Sequence, residues 1–138
     1  MIVKCKTVVK TKNNIKAKAL VFKKSLSFMG EVDMMTGKII AKGNEHEGEN
    51  IAGKILIYPE AKGSSGGCLV LRSLASHNKK PSAIINIKSI DYNLVEGAIL
   101  ADIALLTKPD KDLMKIVKSG DILEINPNKG TVAVELKI

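Results

Sequence analysis

The sequence predicts an α/β fold in one domain spanning residues 1–138, with β-rich ends wrapped around a βαβαβ centre. Two patterns carry this reading. Near the start, Val3, Cys5 and Thr7 alternate with lysines, and Ala17, Ala19 and Val21 alternate with Lys16, Lys18 and other residues, the period-2 signature of half-buried strands. From residue 54 onward, short apolar runs alternate with segments of helical length, the order expected of parallel strands joined by crossover helices. A chain of 138 residues is long enough to bury a core without disulfides or a structural metal.

The elements follow in order. Asn13-Asn14 marks the turn between the first two strands. Leu26-Ser27-Phe28-Met29-Gly30-Glu31-Val32-Asp33 has no period and reads as a mixed loop, Lys38-Ile39-Ile40-Ala41 as a short strand, and the polar, glycine-bearing stretch 42–50 as an exposed loop. Residues 54–58 form an apolar strand that stops at Pro59. Residues 67–77 form a helix that ends near Asn78 and Pro81. A strand over 83–87, a helix over 92–101 with Gly97 inside it, and a strand over 103–106 come next. Residues 110–118 read as a helix, with acidic residues in the first turn, lysines in the last and Gly120 just beyond. Residues 122–125 and 131–138 make a hairpin across Asn126-Pro127-Asn128-Lys129-Gly130.

The net charge of +8 comes almost entirely from lysine, with Arg72 the only arginine, and aromatic residues make up 3%. Nucleic-acid binders combine arginine with exposed aromatics for stacking, so this balance points instead to a solvated face, an anionic substrate or an acidic partner subunit. No stretch approaches the roughly 20 apolar residues that cross a bilayer, which argues against a membrane partner. The start Met1-Ile2-Val3-Lys4-Cys5 lacks the apolar region of a secretory signal, so a cytoplasmic location is expected. Cys5 and Cys68 are too few for a metal cage, a disulfide framework or an iron–sulfur cluster held within this chain.

Lys62-Gly63-Ser64-Ser65-Gly66-Gly67 follows the apolar strand directly and opens a helix. That places two hydroxyls and several backbone N–H groups at a helix N-terminus, where an anion or a developing alkoxide is stabilised. On the residues alone, a plain helix N-cap on a glycine turn is the simpler account of the serine pair. Cys68 in the first turn reads as a small apolar residue packed under the loop, or as a thiol activated by the helix dipole.

The blocks Leu26 to Asp33, Thr36-Gly37, Gly53-Lys54-Ile55-Leu56-Ile57, Gly63-Ser64-Ser65-Gly66, Pro81-Ser82-Ala83-Ile84-Ile85 and Glu96-Gly97-Ala98-Ile99-Leu100 occur in this order, and together they resemble the swivel domain of the aconitase X family. The resemblance covers the chain from about Ala19 onward. It implies the swivelling β/β/α fold of aconitase and one subunit of a hydro-lyase, as a heterodimer or higher assembly. The large aconitase-like subunit would hold a [4Fe-4S] cluster, and this chain no metal. The implied substrate is a phosphorylated hydroxy acid, (R)-5-phosphomevalonate, dehydrated to trans-anhydromevalonate 5-phosphate in a variant mevalonate route to isoprenoids. A hydroxyproline dehydratase subunit, or a non-catalytic anion-binding module, are the other readings of such a domain.

Carried over by motif position, the general base is Ser64, and Ser65 is a helix N-cap or second hydrogen-bond donor. Aconitase follows its serine pair with Arg-Glu, whereas Gly66-Gly67 stands here, as in the aconitase X branch. The substrate's charges are then left to the amides of Gly63, Ser65 and Gly66, to Lys62, or to the large subunit. Lys62 reads equally as a solvated loop lysine.

Phe28 and Met29 line the site or the large-subunit contact, or pack in the core; Asp33 fixes its loop by hydrogen bonds, or is simply exposed. His46-Glu47 reads as solvated rather than metal-binding, since adjacent residues rarely chelate one ion. His77 complements a helix C-terminus. Asn86, near the end of a central strand, is a weak site candidate with turn formation as the alternative.

Overall fold

A computed structural model describes residues 1–60 and 66–135 of the chain. Its strands are β1 (Ile2–Lys4), β2 (Lys6–Val9), β3 (Ile15–Val21), β4 (Ile55–Glu60), β5 (Ala83–Ser89), β6 (Ala104–Thr107), β7 (Ile122–Asn126) and β8 (Thr131–Val134). They form one sheet in the order β1-β8-β7-β3-β4-β5-β6-β2. β3, β4, β5 and β6 run parallel, while β2, β7, β8 and β1 pair antiparallel with their neighbours. The helices are α1 (Phe28–Glu31), α2 (Gly67–Ser76), α3 (Tyr92–Ala101) and α4 (Leu113–Ile116).

β1 and β2 are separated in sequence by Cys5 alone, yet they occupy opposite edges of the sheet. Only a sheet curled until its edges approach each other permits this, because one residue spans at most about 3.6 Å. Cys5 ties the seam: its N–H donates to the Gly130 carbonyl at 2.7 Å, and the Thr7 hydroxyl donates to the Pro127 carbonyl at 2.9 Å. Burial among the strands, and next to Asp110, pushes the Cys5 thiol up to about 12.

The curled sheet has two apolar faces, as the period of 2 requires. Inside lie Val3, Ile55, Ile57, Ile85, Leu106, Leu123 and Val132, plugged by Leu113 of α4. Outside, Leu20, Leu56, Tyr58, Ile84 and Leu105 receive Val70, Leu71 and Leu74 of α2 and Leu94, Ala98 and Ala101 of α3. Each fully buried Leu or Ile contributes about 1.5–3 kcal/mol before conformational entropy is charged against it. The parallel strands are buried on both faces, which is why they read as continuous apolar runs. The β/β/α architecture expected from the sequence is the one observed.

Several local expectations are corrected. The alternation from Val3 to Thr7 is broken at Cys5 into two strands, because the chain crosses the seam there. Residues 38–41 make only isolated bridges, Val32 with Ile39 and Lys38 with Asn50. β4 continues through Pro59 to Glu60 with a register shift, since a residue lacking an N–H is accommodated at such an irregularity. The helix expected over 110–118 shrinks to one turn, where the Asp121 carboxylate takes the Lys118 N–H. β8 is described to Val134, and residues 136–138 lie outside the described residues.

The loop at 42–50 is pinned rather than merely solvated. One ring nitrogen of His46 lies 2.5 Å from a Glu49 carboxylate oxygen and the other 2.6 Å from the Val21 carbonyl, with the Phe22 ring edge-on at 4.8 Å. His46 is therefore a strut between this loop and the end of β3. At its other end, the Glu45 carboxylate accepts from the Lys23 and Lys24 N–H groups. Asp33 does fix its turn: it accepts from the Met35 and Thr36 N–H groups, which holds its carboxyl below the usual range.

The seam makes a quantitative prediction. Gly130 has φ +68°, and a Cβ there would lie 2.5 Å from the Cys5 carbonyl oxygen. Gly130→Ala should cost about 2–3 kcal/mol in urea unfolding of the full chain, through strain plus a clash with backbone. Gly120→Ala, at φ +96° with open space around it, should cost only about 1 kcal/mol. Equal losses at the two glycines would contradict the closed seam.

Candidate functional site

The parallel strands end together, and the connections from β3 to α1, β4 to α2 and β5 to α3 all leave from that end. In open α/β sheets this is the ligand-binding end. The segment from Glu60 to Gly66 has both its termini here. Lys62, Gly63, Ser64 and Ser65 lie outside the described residues, so the site is defined by what surrounds them.

Gly66 is the residue before α2 and has φ +67°. A Cβ there would lie 2.8 Å from Met29 Cε, so the start of the helix sits against the Met29 side chain. Met29 itself remains 43% exposed, at a break in α1 where Gly30 turns to φ +90°. Below it Phe28 is buried against Tyr58, with ring centroids 6.5 Å apart. Of the alternatives for these two residues, core packing holds for Phe28, while Met29 is exposed beside Gly66. The Ser25 hydroxyl accepts from the Glu60 N–H at 3.2 Å, which brings the chain after β3 to the end of β4.

The residue at the cap position of α2 is Gly66, and no side chain among the described residues caps this helix. Ser65, read from the sequence as an N-cap or second hydrogen-bond donor, lies outside the described residues. A first-turn donor is satisfied from the neighbouring helix instead, where Asn93 Oδ1 accepts from the Cys68 N–H at 2.9 Å. Asp91 caps α3 by accepting from the Leu94 N–H at 2.7 Å. The two helix starts are locked together at Gly97, where a Cβ would lie 2.7 Å from Cys68 Cα. Cys68 is half-buried in the first turn of α2.

Beneath this surface runs a polar row that the sequence alone does not reveal. Cross-strand register aligns Tyr58, Asn86 and Thr107 on β4, β5 and β6, and all three are buried. Burial raises the Tyr58 hydroxyl above its ordinary range, opposed by the neighbouring Asn86 and reinforced by Asp91. The Thr107 hydroxyl donates to the Asn86 carbonyl at 2.6 Å. Yet among the described residues the Asn86 carboxamide, fully buried, makes no well-formed hydrogen bond through either Nδ2 or Oδ1. Its closeness to the Tyr58 hydroxyl is a contact short of a hydrogen bond with good geometry. The turn reading of Asn86 is overturned, because the residue lies inside a strand.

Another cavity, of about 680 Å³, is at the opposite end, lined by residues 11–16 with Lys80, Ser82 and Asp102. Its Lys80 ammonium is already spent on the Ala101 and Asp102 carbonyls at 2.7 and 2.9 Å, where it neutralises the C-terminus of α3. His77 similarly sits at the end of α2 with Nδ1 2.8 Å from the Ser73 carbonyl, as expected. No three His, Cys, Asp or Glu side chains are grouped to hold a metal among the described residues.

Asn86→Leu removes an unpaired buried amide and should raise unfolding free energy by about 1 kcal/mol in denaturant titrations. Destabilisation by a similar amount would mean that the amide is satisfied. Gly97→Ala, although alanine is the better helix former, should lose about 1–3 kcal/mol because it presses on the Cys68 backbone. A Gly97→Ala variant as stable as wild type would contradict the close helix approach.

Comparison with known proteins completes the description. Residues 2–134 match the family model described as the aconitase X swivel domain. The chain is 34% identical over 125 residues to a Methanopyrus kandleri protein named phosphomevalonate dehydratase small subunit, with 91% of this chain and 92% of that one covered. A Methanococcoides burtonii protein of the same name is 37% identical, covering 94% and 93%. Among solved structures, holo aconitase X from Thermococcus kodakaraensis superposes with a TM-score of 0.87 at 30% identity, covering 99% of each chain.

Proposed function

The chain belongs to the aconitase X swivel domain family, and from that premise we propose that it is the small subunit of a cytoplasmic two-subunit hydro-lyase, a phosphomevalonate dehydratase. The reaction removes a proton from C2 of (R)-5-phosphomevalonate and the hydroxyl from C3, giving trans-anhydromevalonate 5-phosphate and water, a step toward isoprenoids. The observation that carries this reading is the near end-to-end match to relatives that bear that name, at more than 90% coverage of both chains.

In this reading the whole chain acts as one swivel unit covering the active site of a large subunit. Among the described residues Cys5 lies at the seam and Cys68 at the start of α2, with no cluster of ligands around either, so a [4Fe-4S] cluster does not fit this chain and falls to the large subunit. There it would serve as Lewis acid for the departing hydroxyl. The base is Ser64, with Ser65 and the amides of Gly63 and Gly66 donating to substrate oxygens and Lys62 balancing their charge. A serine hydroxyl becomes a competent base only where preorganised donors stabilise its anion. Exposed Met29 and Tyr92, which flank the two helix starts, supply apolar surface for the large subunit to cover.

The test is anaerobic turnover of (R)-5-phosphomevalonate by this chain co-expressed with its large subunit. An unsaturated phosphorylated product, absent with either subunit alone, is the expected result. A cluster-loaded complex inert toward this substrate but active on hydroxyproline would overturn the substrate. Ser64→Ala should leave assembly intact and lower kcat by about 10²–10⁴-fold. A larger loss from Ser65→Ala would transfer the role of base to Ser65.

A further inference from the structure

A second concave surface lies at the same end of the sheet, beyond the polar row. It is a cavity of about 260 Å³ between β2, the end of β6 and the β5–α3 junction, and Lys6, Lys88 and Lys108 all line it together with Ser89 and Thr107. The placement follows from register. Lys6 pairs directly with Thr107, and Thr107 with Asn86, so these residues share one face of the sheet. Lys88, two residues beyond Asn86, returns to that face one step nearer the strand ends.

Three features set this cluster apart from the other lysines. No carboxylate lines the cavity, and among the described residues none of the three ammonium groups has an ion pair or hydrogen bond. Lys80 and Lys111, by contrast, are committed to backbone carbonyls. Asp91, which follows the lining residue Ile90, does not itself line the cavity, and its carboxylate caps α3. Lys108 has φ +52°, an unfavourable region for a residue with a Cβ, in a position that Pro109 biases toward extended backbone. Backbone strain of this kind is concentrated at ligand clamps and other functional positions. Finally, the unpaired Asn86 carboxamide lies buried in the adjoining row.

Building on the dehydratase reading, we propose that Lys6, Lys88 and Lys108 seat the phosphate of the substrate, a phosphomonoester dianion. Three uncompensated positive charges match a group that carries about −1.5 to −2. The cavity lies one to two strand spacings from the end of β4, about 5–10 Å. In 5-phosphomevalonate the reacting C2–C3 bond and the phosphate are likewise separated, by two methylenes and the ester oxygen. The proton would leave at the β4–α2 connection while the phosphate is held at the β5–β6 edge. The subsite thereby selects phosphorylated over unphosphorylated hydroxy acids.

The test uses the assembled complex with Lys88→Met and Lys108→Gly. The second variant removes the charge and relieves the backbone strain together, so a loss there is not a folding defect. Each should raise KM for (R)-5-phosphomevalonate by about 10-fold or more, with kcat changed less than about 3-fold, since a charged hydrogen bond to the nonreacting phosphate contributes to uniform binding. The inhibition constant of inorganic phosphate should rise in parallel, while Lys12→Met at the opposite end changes neither. Unchanged KM and phosphate inhibition in both variants would overturn the proposal. So would loss of assembly with the large subunit at salt concentrations that wild type tolerates, which would make the lysines a docking surface. If the wild-type complex does not turn over this substrate, the dehydratase reading fails separately. Titration of inorganic phosphate followed by ³¹P NMR then decides: binding to wild type that both variants weaken sustains the anion seat, and no difference sinks it.

Discussion

The rest of the molecule depends on the closure imposed by its first nine residues. The chain enters along one edge of the sheet as β1, passes Cys5, and leaves along the other edge as β2. Because no linker is available to bridge a flat sheet, the eight strands must curl, and the curl divides the apolar residues into an interior filled by side chains and an exterior roofed by α2 and α3. The close contact of Gly130 with the Cys5 carbonyl is where that constraint is most tightly drawn. The same closure brings β2 beside β6, and so carries Lys6 to the end of the sheet where the connections to α2 and α3 begin.

That end of the molecule is organised in tiers. Apolar packing by Phe22, Phe28 and Tyr58 forms a rigid base. Above it the Tyr58–Asn86–Thr107 row places polar groups where an apolar side chain would be more stable. The helix starts come next, locked by Gly97 against Cys68 and by Asn93 on the Cys68 N–H. Such a tiered arrangement fixes the positions of Glu60 and Gly66, the two ends at which the proposed chemistry is anchored. Stability is given up at Asn86 and Lys108, both near the end where the parallel strands stop, while Lys80 at the opposite end is committed to the C-terminus of α3.

Much of the framework was legible because it rests on local periodicity. The bounds of α2 and α3, the strand–helix alternation and the final hairpin follow from apolar spacing and turn residues, and the observed α3 covers the expected residues 92–101. What escaped depends on partners distant in sequence. Nothing around Cys5 announces a seam, since its carbonyl meets a glycine 125 positions away. His46 reads as solvated because Phe22 and Val21, which hold it, lie in another element. The lysine cluster draws on residues near 6, 88 and 108, brought together only by strand order. Ser64 is the reverse case: its motif is plain in the sequence, and it lies outside the described residues.

The central claim is that the C-terminal end of the parallel strands is the half-site turned toward the large subunit. An anaerobic crystal structure of the assembled complex with bound (R)-5-phosphomevalonate tests it most directly. The account predicts the substrate lying across that end, with C2 facing the segment between Glu60 and Gly66 and the phosphate at the β5–β6 edge. Substrate bound instead beside Lys12, Lys16 and Lys80, or an assembly that turns the segment away from the large subunit, would contradict it.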